Sequence, residues 1–283
     1  KRQIVSDYQQ MEADGMEKEL EKTDWQIVNS WLGTLYPELR DTSNYKTMIS
    51  YVDPDKLTGF YERRQQVLDE FLKVSGQVGA EKEYFHQIER KVEKPFHYEW
   101  VEGWSTLLGS MVADLGVVMA LFLGIVLSSL FAGEWHDNTS ALVLTTRNGW
   151  GKIALAKILT GFAFTVELFA LLAVSSVISQ LLFMGTAGWD MPIQNIKLIA
   201  VAPMNMLQAE IYEYAFVLLG AIGFAGIVMF ISAAVKNNVL TLLLSLAVVY
   251  GPMMIAEYLP YEMQKALDLI PLVGSSTDIF RTN

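Results

Sequence analysis

The sequence predicts an all-α fold: a polytopic helical membrane protein with an external helical domain. Four runs carry no charge over spanning length, namely Leu115–Gly133, Leu168–Trp189, Tyr214–Val235 and Asn237–Ala256. At a rise of about 1.5 Å per residue, about 20 residues cover the roughly 30 Å hydrocarbon core. Charge is also segregated. Residues 1–112 hold 14 Lys/Arg and 20 Asp/Glu, whereas the cations of 113–256 are Arg147, Lys152, Lys157, Lys197 and Lys236. Finally, the charged front half places apolar residues at helical spacing. A soluble protein would bury four such helices whole, but its core helices rarely lose charge on every face.

The first stretch, Lys1–Lys22, is charged with few large apolar residues and reads as an exposed helix. Asp24–Leu39 sets Trp25, Ile27, Val28, Trp31, Leu32 and Leu35 on one amphipathic helix. Gly59–Leu72 does the same with Phe60, Arg64, Val67, Leu68 and Phe71, and Gly76 follows near its end. Glu81–Lys94 carries Tyr84, Phe85, Ile88 and Val92 before Pro95 stops it. These helices define a domain over 1–108. A transmembrane domain over 109–258 follows, with four spans at about 113–133, 158–186, 212–235 and 238–257.

Lys and Arg in the short loops orient the spans. Arg147, Lys152 and Lys157 lie between the first two, and Lys236–Asn238 forms the turn between the last two. The loop near 190–213 offers Lys197 beside Asp190, Glu210 and Glu213. The positive-inside rule therefore assigns 134–152 and Lys236–Asn238 to the cytoplasm. It leaves 1–108 and 259–283 outside, in a multi-pass protein of the cell membrane. Translocation of the front domain would be explained by a further span before Lys1.

The net charge of −10 argues against a nucleic-acid binder, which needs basic surface against phosphate. The chain has no cysteine, hence no disulfide or thiolate chemistry. No phosphate-binding GxxxxGK[ST] loop occurs; Thr146–Ile153 lacks its first Gly and its hydroxyl. His86, His97 and His136 are scattered, so neither a metal site nor a cofactor is expected. No nucleophile–base pairing suggests a catalytic residue, and the chain does not read as an enzyme.

Two features inside the spans invite a role. Gly116, Ala120, Gly124, Ser128 and Ala132 recur every fourth residue, a ladder that lets another helix approach closely. It packs either within the chain or between protomers. Glu167 lies ten residues beyond Lys157 in apolar sequence. An acid at that depth faces a bundle interior or a wet cavity, or else makes a structural polar contact or sits near the interface.

One stretch remains, Phe131–Lys157, which reads FAGEWHDNTSALVLTTRNGWGKIALAK between two spans. Asp137 or Asn138 can cap a helix there. Trp135, Thr139, Leu142, Val143 and Thr146 share one face, with Arg147 following. Such a helix docks on a partner or lies on lipid; amphipathicity alone supports both.

The order of parts resembles the permease subunits of ABC-2 type transporters, particularly bacterial members with a large external domain after their first span. The resembling residues are Phe60–Gln65, Glu81–Phe85, Pro95–Tyr98 and Gly103–Trp104. They continue with Phe131, Glu134, Asn138–Thr139, Thr146–Gly149 and Ala156–Lys157. The likeness covers about residues 58–258 and is diffuse. It implies six spans, two of them beyond the ends of this sequence. It implies that 134–152 is a coupling segment whose Trp135, Thr139, Leu142, Val143 and Arg147 contact a separate ABC ATPase subunit. It also implies a second permease protomer, in a homo- or heterodimer within membrane lipid, and transport as an exporter. The alternative from another class is a membrane-anchored sensor or assembly protein whose external domain binds a ligand.

Overall fold

The computed structural model describes residues 2–13, 25–37, 53, 59–74, 76–96, 101–137, 139, 145, 151–255, 258, 259 and 263. Among them the fold is all-α, with one isolated β-bridge between Pro192 and Asn205. The chain forms two compact units. One runs to Val101 and takes in Gly188–Met206; the other comprises Glu102–Ala187 and the described residues from Leu207. The expected boundary at 108 thus falls at Val101, and a loop between two long helices belongs to the first unit.

That unit contains α1 (Arg2–Ala13), α2 (Trp25–Leu35), α3 (Phe60–Val74) and α4 (Ala80–Glu89). The apolar stripe of α2 is buried at Val28, Trp31, Leu32 and Leu35, and Tyr8 of α1 packs with it. Leu68 and Leu72 of α3 form a second cluster. The segment 188–206 supplies Leu198 to the first cluster and Ile199 to the second. It is fastened by side chains as well. The Trp31 indole donates to the Asn195 carbonyl at 3.1 Å. Gln194 donates to the carbonyls of Ala200 and Ala202, each at 2.9 Å.

At the centre Arg64 is 1% exposed. It donates to the carbonyls of Leu198 (2.7 Å) and Ala200 (3.0 Å) and to Glu89 (2.5 Å), with the Phe96 ring under its guanidinium. Lys94 reaches the same Glu89 oxygen at 2.7 Å. Burial lowers the Arg64 pKa against its bonds to Glu89. Burial pushes the Glu89 carboxyl up, and hydrogen bonds from Lys94 and Arg64 outweigh it and hold the group below its ordinary range. The expected helix over 81–94 ends at Glu89 because the chain turns there toward Pro95, keeping Glu89 against Arg64. Tyr84, assigned to the apolar face, is exposed.

The second unit opens with α5 (Glu102–Thr106), which continues through a π-turn at Leu107–Met111 into α6 (Val112–His136). Then come α7 (Lys152–Met184), α8 (Met206–Val235) and α9 (Asn238–Ile255). Three helices are long and apolar enough to cross a membrane: Glu102–Trp135, Lys152–Met184 and Met206–Val235. Each begins before the expected span, with polar residues in its first turns. The fourth expected span, 238–257, is the 18-residue α9, with Pro252 inside its last turn. The core gathers Met119, Leu123 and Leu127 of α6, Ala173 of α7, Val217, Phe224 and Val228 of α8, and Val249 of α9.

Candidate functional site

The long helices of the second unit are joined where the segment Phe131–Lys157 begins and ends. Lys157, one turn and a half into α7, donates to the Leu130 carbonyl at 2.5 Å and pairs with Glu134 at 2.6 Å. Its ammonium also stands 5.0 Å from the Phe131 ring centre. The start of α7 is therefore tied to the end of α6 by one half-buried cation. Sequence reading used Lys157 to orient the spans and in the family resemblance, without a contact for its charge. The long lysine stem lets its charge meet an acid and a carbonyl while its methylenes lie along apolar surface.

Ser232 of α8 makes a second tie. Its hydroxyl donates to the Ser128 carbonyl at 2.7 Å and accepts from the amides of Phe131 (3.1 Å) and Ala132 (3.0 Å). A side chain from α8 thus enters the hydrogen-bond ladder of α6. Where helices meet in an apolar setting, such a hydroxyl is among the few polar groups available to hold register. The third tie comes from the turn after α8. Lys236 has a positive φ of 58°, a costly conformation for a residue with a Cβ. It sets the ammonium 3.8 Å from the ring centre of Trp135. Asn237 accepts from the Leu240 amide at 3.0 Å and caps α9.

Among the residues expected to contact a partner, Trp135 lies in the last turn of α6 and is 40% exposed. Thr139 is exposed, and its amide and hydroxyl both donate to the Glu134 carbonyl. Leu142, Val143 and Arg147 lie outside the described residues. Gly116, Ala120, Gly124 and Ser128 are all buried. A Cβ on Gly124 would come within 3.3 Å of Leu242 and 3.4 Å of Leu246, so α9 occupies that stretch of the ladder. Glu167 lies on the exposed face of α7.

The buried acids of this unit are elsewhere. Glu210 and Glu213, in the first turns of α8, are 4% and 3% exposed. Sequence reading assigned both to a loop. The missed signal is helical periodicity: Glu210 and Glu213 stand three apart with Tyr214, and Met206, Ala209 and Val217 are buried on the same helix. Tyr214 shares a 2.8 Å hydrogen bond with Ser176 of α7. Among the described residues no group of three or more His, Asp or Glu is placed to hold a metal. No protein-family model, curated protein or solved structure matches the chain.

Proposed function

We propose that the chain is the membrane-spanning permease subunit of an ABC-2 type transporter, acting as an exporter beside a separate ATPase. The observation that carries this reading is the junction of Lys157, Glu134, Ser232, Lys236 and Trp135. A segment that transmits a partner's movement must be rooted in the helices it moves. Here both ends of 134–152 are tied to α6, α7 and α8 by charge and by hydrogen bonds. The residue pattern of the ABC-2 permeases supplies the second support. On this reading Trp135, Thr139, Leu142, Val143 and Arg147 face the ATPase in the cytoplasm. The first unit lies outside the cell, and a second protomer completes the path.

The test is reconstitution with an ABC ATPase that co-purifies with this chain after mild detergent extraction. Lys157→Met removes the ion pair and leaves the segment itself unchanged. The variant is expected to retain the ATPase on co-purification and to lose most of the coupling of hydrolysis to transport. Leu142→Pro, which costs about 3 kcal/mol in a helix, is expected to release the ATPase. Full coupling in the first variant and full retention in the second would end the permease reading.

A ligand-sensing role for the first unit is the second reading. It is favoured by a cleft of about 380 Å³ whose lining includes Glu93, Phe96, Asp190, Pro192, Gln194 and Met204. That volume lies within the range of small-molecule sites.

A further inference from the structure

Two contacts define how α7 and α8 run past each other. A Cβ on Gly161 would meet the Met229 sulfur at 2.6 Å, and Ser176 bonds Tyr214 at 2.8 Å. The two contacts are fifteen residues apart on each helix, so the helices are antiparallel and in register. One turn beyond Ser176 is Gln180, and one turn before Tyr214 is Glu210. The register therefore brings Gln180 level with Glu210.

Both are buried, Gln180 at 7% exposure and Glu210 at 4%. The Gln180 amide nitrogen has no hydrogen-bond acceptor, and the Glu210 carboxyl oxygens make no hydrogen bond of close geometry, with the Tyr214 hydroxyl near enough to act on them. Tyr214 is near enough to act on both Glu210 and Glu213 electrostatically. A buried donor left unpaired is destabilising, and an uncompensated carboxylate more so. A donor and an anion standing unpaired at one level of two facing helices mark a polar volume that something else completes. The neighbouring groups, Ser176, Gln180, Glu213 and Tyr214, offer oxygen atoms and no thiol or imidazole, which selects a hard cation.

We propose that Glu210 and Gln180 form a binding site for a small hard cation, a proton or a sodium ion held with water, between α7 and α8. Glu210 balances the charge. A further water, held by the Glu210 carboxylate beside the cation, accepts from the Gln180 amide. Glu213 and Tyr214 are the titratable groups beside Glu210 on α8, and the facing residues of α7, Ser176 and Gln180, do not titrate. The site does not depend on the permease reading and is tested without an ATPase.

The experiment is infrared difference spectroscopy on the full chain in phosphatidylcholine nanodiscs. One arm lowers pH in choline chloride and follows the carbonyl band of a protonated carboxyl. The other exchanges choline for sodium at constant pH and follows the carboxylate bands. The parent is expected to respond in one arm, which identifies the cation. Glu210→Gln is expected to abolish that response, and Gln180→Leu to weaken the apparent affinity about tenfold through the lost hydrogen bond. Glu210→Asp, which keeps the charge, is expected to retain the response at a shifted midpoint and carries the test if Glu210→Gln does not fold. A parent silent in both arms overturns the site, as does a response unchanged in Glu210→Gln. An unchanged midpoint in both Glu210→Asp and Gln180→Leu overturns it as well.

Discussion

The two units of this chain bury polar groups in opposite ways. In the first, Arg64 sits at the centre and binds three partners far away in sequence: Glu89 and the carbonyls of Leu198 and Ala200. In the second, most buried or half-buried hydroxyls turn back on their own helix. Thr165 donates to Gly161, Ser245 to Thr241, Ser128 to Ile125 and Ser176 to Ala173. The first unit thus uses charge and hydrogen bonds to hold a loop whose own regular structure is one short 3-10 turn and one β-bridge. The long helices already satisfy their backbones, and their positions relative to one another rest on close packing and a few bridging groups. The contrast teaches that losing a polar group should be severe in the first unit, whereas adding bulk should be severe in the second.

The largest effect should come from Arg64→Leu. It leaves Glu89 buried without its guanidinium and frees two carbonyls, so a loss of about 3–5 kcal/mol is expected. Hydrogen exchange on the full chain should show the amides of 193–202 deprotected while α6 and α8 keep their protection. Equal loosening of both units would break the comparison.

Next in size is Gly124→Leu, which must push aside Leu242 and Leu246. Overpacking of this kind costs about 1–3 kcal/mol. Gly133→Ala is the control, because its new Cβ would meet only Ser129, at 3.8 Å. Thermal unfolding in detergent should separate the two variants. A Gly124→Leu protein as stable as the control would mean that the ladder does not seat α9.

The smallest effect is on pH. Glu89 has its pKa held below the ordinary 4.5. Its contribution is fully present above that value and is lost as pH falls through the lower, folded-state value. Asp69, lowered chiefly by its bond from Lys82, changes in the same direction, less because it is more exposed. On acidification below the carboxylate range, near-ultraviolet circular dichroism from the first unit should fade before helix content falls. Glu89→Gln should remove most of that acid sensitivity. A simultaneous loss of both signals in the parent would show that the two units do not differ in this respect.

The sequence by itself determined the helical class, the long apolar helices, the amphipathic stripes of α2 and α3, and the turn Lys236–Asn238. Each of these is a sum over neighbouring residues, of transfer free energy along a window or of side-chain direction at a helical period, so a local reading suffices. It also placed Arg64 on the apolar face of α3, without a reason for a cation there. Only the tertiary structure decided that reason: the carbonyls of Leu198 and Ala200, more than 130 residues away. It likewise decided that Gly188–Met206 joins the first unit, that Lys157 pairs with Glu134, that Ser232 enters the ladder of α6, and that Glu210 stands level with Gln180. These pairings depend on loop closure and on the register of one helix against another. A shift of one residue along either helix turns a side chain by about 100° and leaves its local pattern unchanged.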